Sequence, residues 1–184
     1  MQKILDSFRE HPIIAAVGED KWEAALQSSA TVIFYMSANL LSIRQRAQQA
    51  HREKKYIMVH LDLAEGIGKD RTGIRYLADC GVDGILSTRG QLIRLAREQQ
   101  LFTVQRFFAV DSSGAESIGE LMRNANPHIL EIMPGVVTKV IRRYSEGGLP
   151  VIAGGLIQTA QEAQEALNAG AKAVSTGEPS LWEL

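Results

Sequence analysis

Residues 150–167 read PVIAGGLIQTAQEAQEAL: a short apolar run, two adjacent glycines, then a pattern of helical period. Ala160, Ala163, Ala166 and Leu167 fall on one face of that helix, with Thr159 placed to cap its start and Gly170 to end it. The unit is a strand followed by a helix. Gly154 and Gly155 occupy the turn, where glycine reaches positive φ without a Cβ clash. Two readings of the pair stay open: a tight turn and nothing more, or a place where a ligand approaches the main chain.

The same alternation runs through the chain. Strand-like runs stand at PIIAAV (12–17), TVIFYM (31–36), YIMVHL (56–61), DGILS (83–87), LFTVQRFFAV (101–110), HILEIM (128–133), PVIAG (150–154) and KAVST (172–176). Their nearly continuous apolar character is that of parallel strands buried on both faces, and helical patterns such as DRTGIRYLADC fill the gaps. Eight strand-helix units with right-handed crossovers predict an α/β fold, a small (β/α)8 TIM-type barrel; an open doubly wound sheet is the rival. A typical barrel takes about 250 residues. With 184, the loops must be brief and the last helix shortened to SLWEL. CGVDGILST (80–88) and AGAKAVST (169–176) echo each other four units apart, which favours closure. No linker or low-complexity stretch intervenes, so residues 1–184 are expected to form one domain.

Composition narrows the function classes. Hydrophobic residues are 45% and charged residues 22%, an ordinary globular mixture. The opening MQKILDSFREHPIIAAV lacks the apolar core and cleavage site of a secretory signal, and no run approaches transmembrane length, which predicts a cytoplasmic protein without membrane contact. The single Cys80 can form no internal disulfide and fits a reducing compartment. With a formal net charge of −1, any RNA contact must be local.

In such a barrel, ligands gather at the carboxyl ends of the strands, and phosphate is often held after strands seven and eight. AGGLI and STGEP stand there, offering the amides of Gly154, Gly155 and Gly177 with the hydroxyls of Ser175 and Thr176. His60 and Asp62 share strand parity and are expected to project together toward the barrel axis, with Glu65 beyond, either binding ligand hydroxyls or forming one buried His–Asp hydrogen bond. Strand five brings Gln105, Arg106 and Asp111; strand six brings Glu131 before Pro134 and Gly135. Arg106 is a fixed cation suited to phosphate. Carboxylates at one mouth would also suit acid–base catalysis or Mg²⁺, but none has the fixed spacing of a metal site, and no cofactor is expected. GxSxG, GxxxxGK[ST], HExxH and CxxC are absent.

HPIIAAV, HLDLAEGIGKD, DGILSTRGQLIRLA, TVQRFFAVDS, EIMPG, PVIAGGLI and AVSTGEPSLW together resemble the glycerol-3-phosphate-responsive antiterminator family, regulators of the glycerol uptake operon. The resemblance spans nearly the whole chain in order. It implies a cytoplasmic regulator that senses sn-glycerol 3-phosphate and acts on the leader of nascent mRNA to prevent premature termination. On that footing Gly154, Gly155, Ser175, Thr176 and Gly177 would take the phosphate, and His60, Asp62 or Glu131 the hydroxyls. Family members commonly have lysine where Arg89 stands; charge is kept, contact geometry need not be.

For RNA, SIRQRAQQAHREKK (42–55) carries Arg44, Arg46, Arg52, Lys54 and Lys55 on an expected outer helix, and Lys139, Arg142 and Arg143 form a second cluster. A solvated helix face is the plain alternative for both. A homodimer could present such a surface twice, and either ordering of loops such as 62–70 and 111–117 or a change in dimer geometry would couple ligand to RNA. The competing reading of the whole chain is an enzyme acting on a small phosphorylated metabolite, with Asp62, Glu65 or Glu131 as acid–base groups.

Overall fold

The computed structural model describes residues 2–109, 125–148 and 150–184. Helix α1 (Gln2–Glu10) precedes eight strands: β1 (Ile13–Val17), β2 (Val32–Tyr35), β3 (Tyr56–His60), β4 (Gly84–Ser87), β5 (Phe102–Phe108), β6 (Ile129–Met133), β7 (Val151–Gly154) and β8 (Ala173–Thr176). Neighbours pair in parallel in sequence order and β8 pairs back onto β1, so the sheet closes into a barrel and the open-sheet rival is excluded. Each strand lies inside the run expected for it. Asp111 and the 111–117 segment fall outside the described residues.

Around the barrel lie α2 (Trp22–Gln27), α3 (Ile43–Arg52), α4 (Arg71–Asp79), α5 (Gly90–Glu98), α6 (Thr138–Glu146) and α7 (Ala160–Asn168). The start of α7 is a reciprocal cap: Glu162 N–H donates to Thr159 Oγ1 at 3.2 Å, and Thr159 N–H donates to Glu162 Oε2 at 3.0 Å. After β8 there is only a 3-10 turn, Pro179–Leu181. Trp182 fills the place of the missing helix; it is 1% exposed and its indole N–H donates to Thr176 O at 3.0 Å.

The alternation of side chains along each strand divides the core in two. One layer packs between strands and helices and includes Ile33, Ile57, Ile85, Ile132 and Ala153. The other fills the barrel with Ile14, Val32, Phe34, Met58, Leu86, Phe102, Val104, Ile129, Ile152 and Ala173. Ile4 and Phe8 of α1, one helical turn apart, join this inner cluster and close the barrel floor. The sequence reading gave this opening segment no structural role.

At the same end, β5 and β6 are tied by a side-chain exchange. Thr103 N–H donates to His128 Nδ1 at 3.0 Å, and His128 N–H donates to Thr103 Oγ1 at 3.1 Å. Burial, then the positive charge of Arg97, pushes the His128 imidazole down to about 4 from its ordinary 6.5.

Two outcomes follow. Phe8→Ala, which empties the floor, is expected to lower unfolding free energy by about 3–5 kcal/mol in urea denaturation. His128 binds its proton in the unfolded chain near pH 6.5 but in the fold only near 4, so its contribution is complete above pH 6.5 and lost as pH falls toward 4. His128→Asn should therefore show a shallower loss of stability across that window, measured as urea midpoints at pH 7, 5.5 and 4.5.

Candidate phosphate site at the barrel mouth

The barrel interior changes from apolar to polar in one step of the strand repeat. Met58, Val104, Ile129 and Ala173 belong to the inner cluster; two residues further along the same strands stand His60, Arg106, Glu131 and Ser175, all buried. Glu131 is 0% exposed, and three bonds meet its carboxylate. Arg106 Nε donates to Oε2 at 2.6 Å, Arg106 Nη2 to Oε1 at 3.3 Å, and Ser175 Oγ to Oε1 at 2.6 Å. Arg106 and Glu131 are register partners on β5 and β6, whereas Ser175 reaches across from β8.

That reach explains the double glycine. Gly154 is the β7 partner of Ser175, and a Cβ on it would overlap Glu131 Oε1 and lie 2.6 Å from Ser175 Oγ. The first glycine thus makes room for the carboxylate. Gly155 has φ +76°, which side chains with a Cβ rarely adopt. Gly135, on the loop between β6 and α6, packs against both: its N–H donates to Gly154 O at 2.5 Å and Gly155 O at 3.0 Å. A Cβ on Gly135 would lie 2.9 Å from Gly154 N.

Beside the cluster a cavity of about 240 Å³ is lined by Ala16, Met36, Arg106, Met133, Gly155, Leu156, Ser175, Thr176 and Gly177. The N–H groups of Gly155 and Gly177 have no acceptor among the described residues. Lys21 Nζ donates to Gly177 O at 2.7 Å, bringing a second cation to that turn. Thr176 spends its hydroxyl on the loop, donating to Ile157 O at 2.7 Å and accepting from Glu178 N–H at 3.1 Å. Met36 also borders a second hollow, about 460 Å³, with Glu19, Ser37, Asn39, Leu63 and Glu65. Of the residues singled out in the sequence, Arg106, Gly155, Ser175, Thr176 and Gly177 line the first cavity. Gly154, Glu131 and Gly135 stand behind it. Ala16, Met36, Met133, Leu156 and Lys21 were missed; Ala16, Met36 and Met133 follow from extending strand parity to the rim, whereas Leu156 lies in the left-handed turn after β7.

His60 and Asp62 stand near each other but do not form the buried His–Asp hydrogen bond. The chain leaves β3 into a 3-10 turn, Leu61–Leu63, which breaks the strand alternation and swings Asp62 toward β4. There Asp62 accepts from Ser87 Oγ at 3.1 Å, Thr88 N–H at 2.8 Å and Arg89 Nε at 2.8 Å. Burial alone would raise the Asp62 carboxyl, but these bonds, Arg89 first, hold it below the ordinary range. Arg89 therefore anchors the loop after β4. His60 Nδ1 lies 3.9 Å from Asp62 Oδ2 and has no hydrogen-bond partner among the described residues. Burial, then Arg106, lowers the His60 pKa, which keeps its ring neutral at pH 7.

The basic residues of α3 are only partly available. Lys55 is 7% exposed and donates at 2.6 Å to both Ser28 O and Ala30 O, so it lies inside rather than on the outer face expected of it. Arg46 pairs with Glu19 and stacks 5.3 Å from the centre of the Trp22 ring. Arg44 Nη1 donates to Asp79 O at 3.0 Å. Arg52 and Lys54 are exposed. Among the described residues, no three His, Cys, Asp or Glu side chains converge as a metal site requires, and no helix is long and apolar enough to cross a membrane.

The chain is 33% identical over 184 residues to the uncharacterized protein YgcP of Escherichia coli (strain K12), covering 98% of this chain and 96% of that one. The solved structure of the glycerol uptake operon antiterminator regulatory protein of Listeria monocytogenes superposes with a TM-score of 0.86 at 30% identity, over 92% of this chain and 94% of that chain. A glycerol uptake operon antiterminator-related protein of Thermotoga maritima gives 0.85 at 29% identity, over 95% and 99%. With residues 13–182 matching the family described as "Glycerol-3-phosphate responsive antiterminator", the chain belongs to that family of antitermination regulators.

Proposed function

We propose that this protein binds sn-glycerol 3-phosphate at the β7–β8 end of its barrel and, in that state, engages the leader of glycerol-operon mRNA in the cytoplasm to prevent premature termination. The observation that carries the ligand half is the 240 Å³ cavity lined by Arg106 together with Gly155 and Gly177, whose N–H groups have no acceptor among the described residues. A phosphate dianion is held by oriented backbone donors and a fixed guanidinium. Arg106 has five N–H bonds to give and spends two on Glu131, which leaves donors for an anion. Lys21 adds positive charge from the other side of the Gly177 turn. The glycerol end would run past Ala16 and Met36 toward Ser37, Asn39 and Glu65 of the adjoining hollow.

The geometry favours binding over turnover. Glu131 and Asp62, two of the carboxylates that an enzyme reading would use as acid or base, already accept three and four hydrogen bonds respectively from neighbouring groups. Among the described residues, no lysine lines the cavity to form a Schiff base. The family is one of regulators, and ligand control of RNA requires only that the two binding events share a conformational equilibrium.

Calorimetric titration tests the site. The parent chain should bind glycerol 3-phosphate and show no heat with glycerol. Gly155→Asp, which adds bulk and negative charge beside Met133, should abolish binding while the far-ultraviolet spectrum is kept; parent-like affinity would remove the assignment. Arg106→Lys should weaken binding about tenfold, because an ammonium cannot serve Glu131 and a phosphate through one planar fork.

A further inference from the structure

We infer that α6 is the face that takes single-stranded RNA, and that Gly135 links it to the ligand cavity. This rests on the regulator reading above and adds to it a surface and a route of coupling.

The surface follows from which cations are free. Several arginines elsewhere on the barrel are occupied: Arg71 with Glu98 at 2.6 Å, Arg75 with Asp79 at 3.0 Å, Arg89 with Asp62 at 2.8 Å, and Arg46 with Glu19; Arg52, Arg94 and Arg97 have no carboxylate partner among the described residues, but no helix other than α6 groups three such cations. On α6, Val140, Ile141 and Tyr144 are buried, which turns positions 139, 142 and 143 outward along one stripe. Lys139, Arg142 and Arg143 are all exposed, and none has a carboxylate partner among the described residues. The Arg143 guanidinium lies 5.9 Å from the centre of the Tyr144 ring, which holds a flat cation at the surface. Three unneutralised charges on one helix face suit a phosphate backbone, and they stand out in a protein whose net charge is −1.

The coupling follows from the loop that precedes the helix. Gly155 lends the cavity a free N–H, while its carbonyl, with that of Gly154, accepts from Gly135 N–H. Two residues on, Val137 caps α6: its N–H donates to Pro134 O at 3.2 Å, and its carbonyl accepts from Val140 N–H at 3.1 Å. An anion that draws on the Gly155 peptide therefore acts on the hydrogen bonds that set the start of α6. The path is a contiguous run of hydrogen bonds from the cavity to the start of α6, which is the element whose equilibrium both sites would bias.

The test compares the parent chain with Lys139→Ala/Arg142→Ala/Arg143→Ala and with Arg44→Ala/Arg52→Ala/Lys54→Ala on the competing α3 face. Retention of a labelled transcript of the glycerol-operon leader is measured over a salt series, with and without glycerol 3-phosphate, and ligand affinity is measured without RNA by calorimetry. The α6 variant should lose at least tenfold in RNA affinity, and its log–log salt slope should fall by about 2, at roughly 0.7 per phosphate contact. Its affinity for glycerol 3-phosphate should stay at the parent value. Parent-like RNA affinity and slope in the α6 variant, or an equal loss in the α3 variant, would overturn the face. Equal RNA affinity of the parent chain with and without ligand would overturn the coupling. If the parent chain retained no leader RNA while still binding glycerol 3-phosphate, the regulator reading itself would fall, and this face with it.

Discussion

A carboxylate wholly removed from water must be met by charge and donors, and Glu131 is such a group at the centre of this barrel. Arg106 and Ser175 meet it. The need has consequences on three other strands and a loop. Ser175 can reach the carboxylate only because β7 carries no side chain at Gly154, and that bare stretch of backbone lets the Gly135 loop pack directly on it. The bidentate pair also fixes the plane of Arg106, so its remaining N–H groups face a defined place instead of sweeping through solvent. Removing one partner of a buried pair costs about 3–5 kcal/mol, because the other is left uncompensated. The arrangement is thus demanding to build and, once built, rigid.

Rigidity at the mouth is supported from the floor. The inner cluster is continuous from Phe8 and Ile4 of α1 up to Met58 and Val104, immediately beneath the polar layer. The barrel therefore works as a packed column that holds a small set of donors at one end, with loops free to vary above it. The loops that do matter are short. Thr176 and Trp182 lock the turn after β8, Thr159 and Glu162 cap α7 after the glycines, and Asp62 pins the loop after β4 through Ser87, Thr88 and Arg89. Donors already in place would lose little freedom on meeting an anion.

The strands were legible because eight apolar runs repeat with helical spacers, and closure leaves no edge strand to mark by charge or proline. Gly155, Ser175 and Gly177 could be placed from their position at strand ends. Three features could not. Gly154 reads as a turn residue, yet its cause is a carboxylate from another strand, a long-range contact with no local signature. Asp62 has the parity of His60 on paper, and one 3-10 turn cancels it. Lys55 belongs to a run of cations, but its stem carries the ammonium inward to two carbonyls, Ser28 O and Ala30 O, where burial lowers its pKa. Gly154 and Lys55 are thus set by tertiary contact, and Asp62 by a local turn that ends the strand alternation.

The central claim is that an anion sits against the Gly155 and Gly177 N–H groups with Arg106 across from them. A crystal structure with bound sn-glycerol 3-phosphate tests it most directly. The phosphate oxygens should lie within hydrogen-bonding reach of both amides and of the Arg106 guanidinium, with the Arg106–Glu131 pair intact and the glycerol carbons beside Met36. A phosphate bound elsewhere on the barrel, or bound here only after Arg106 has left Glu131, would contradict it.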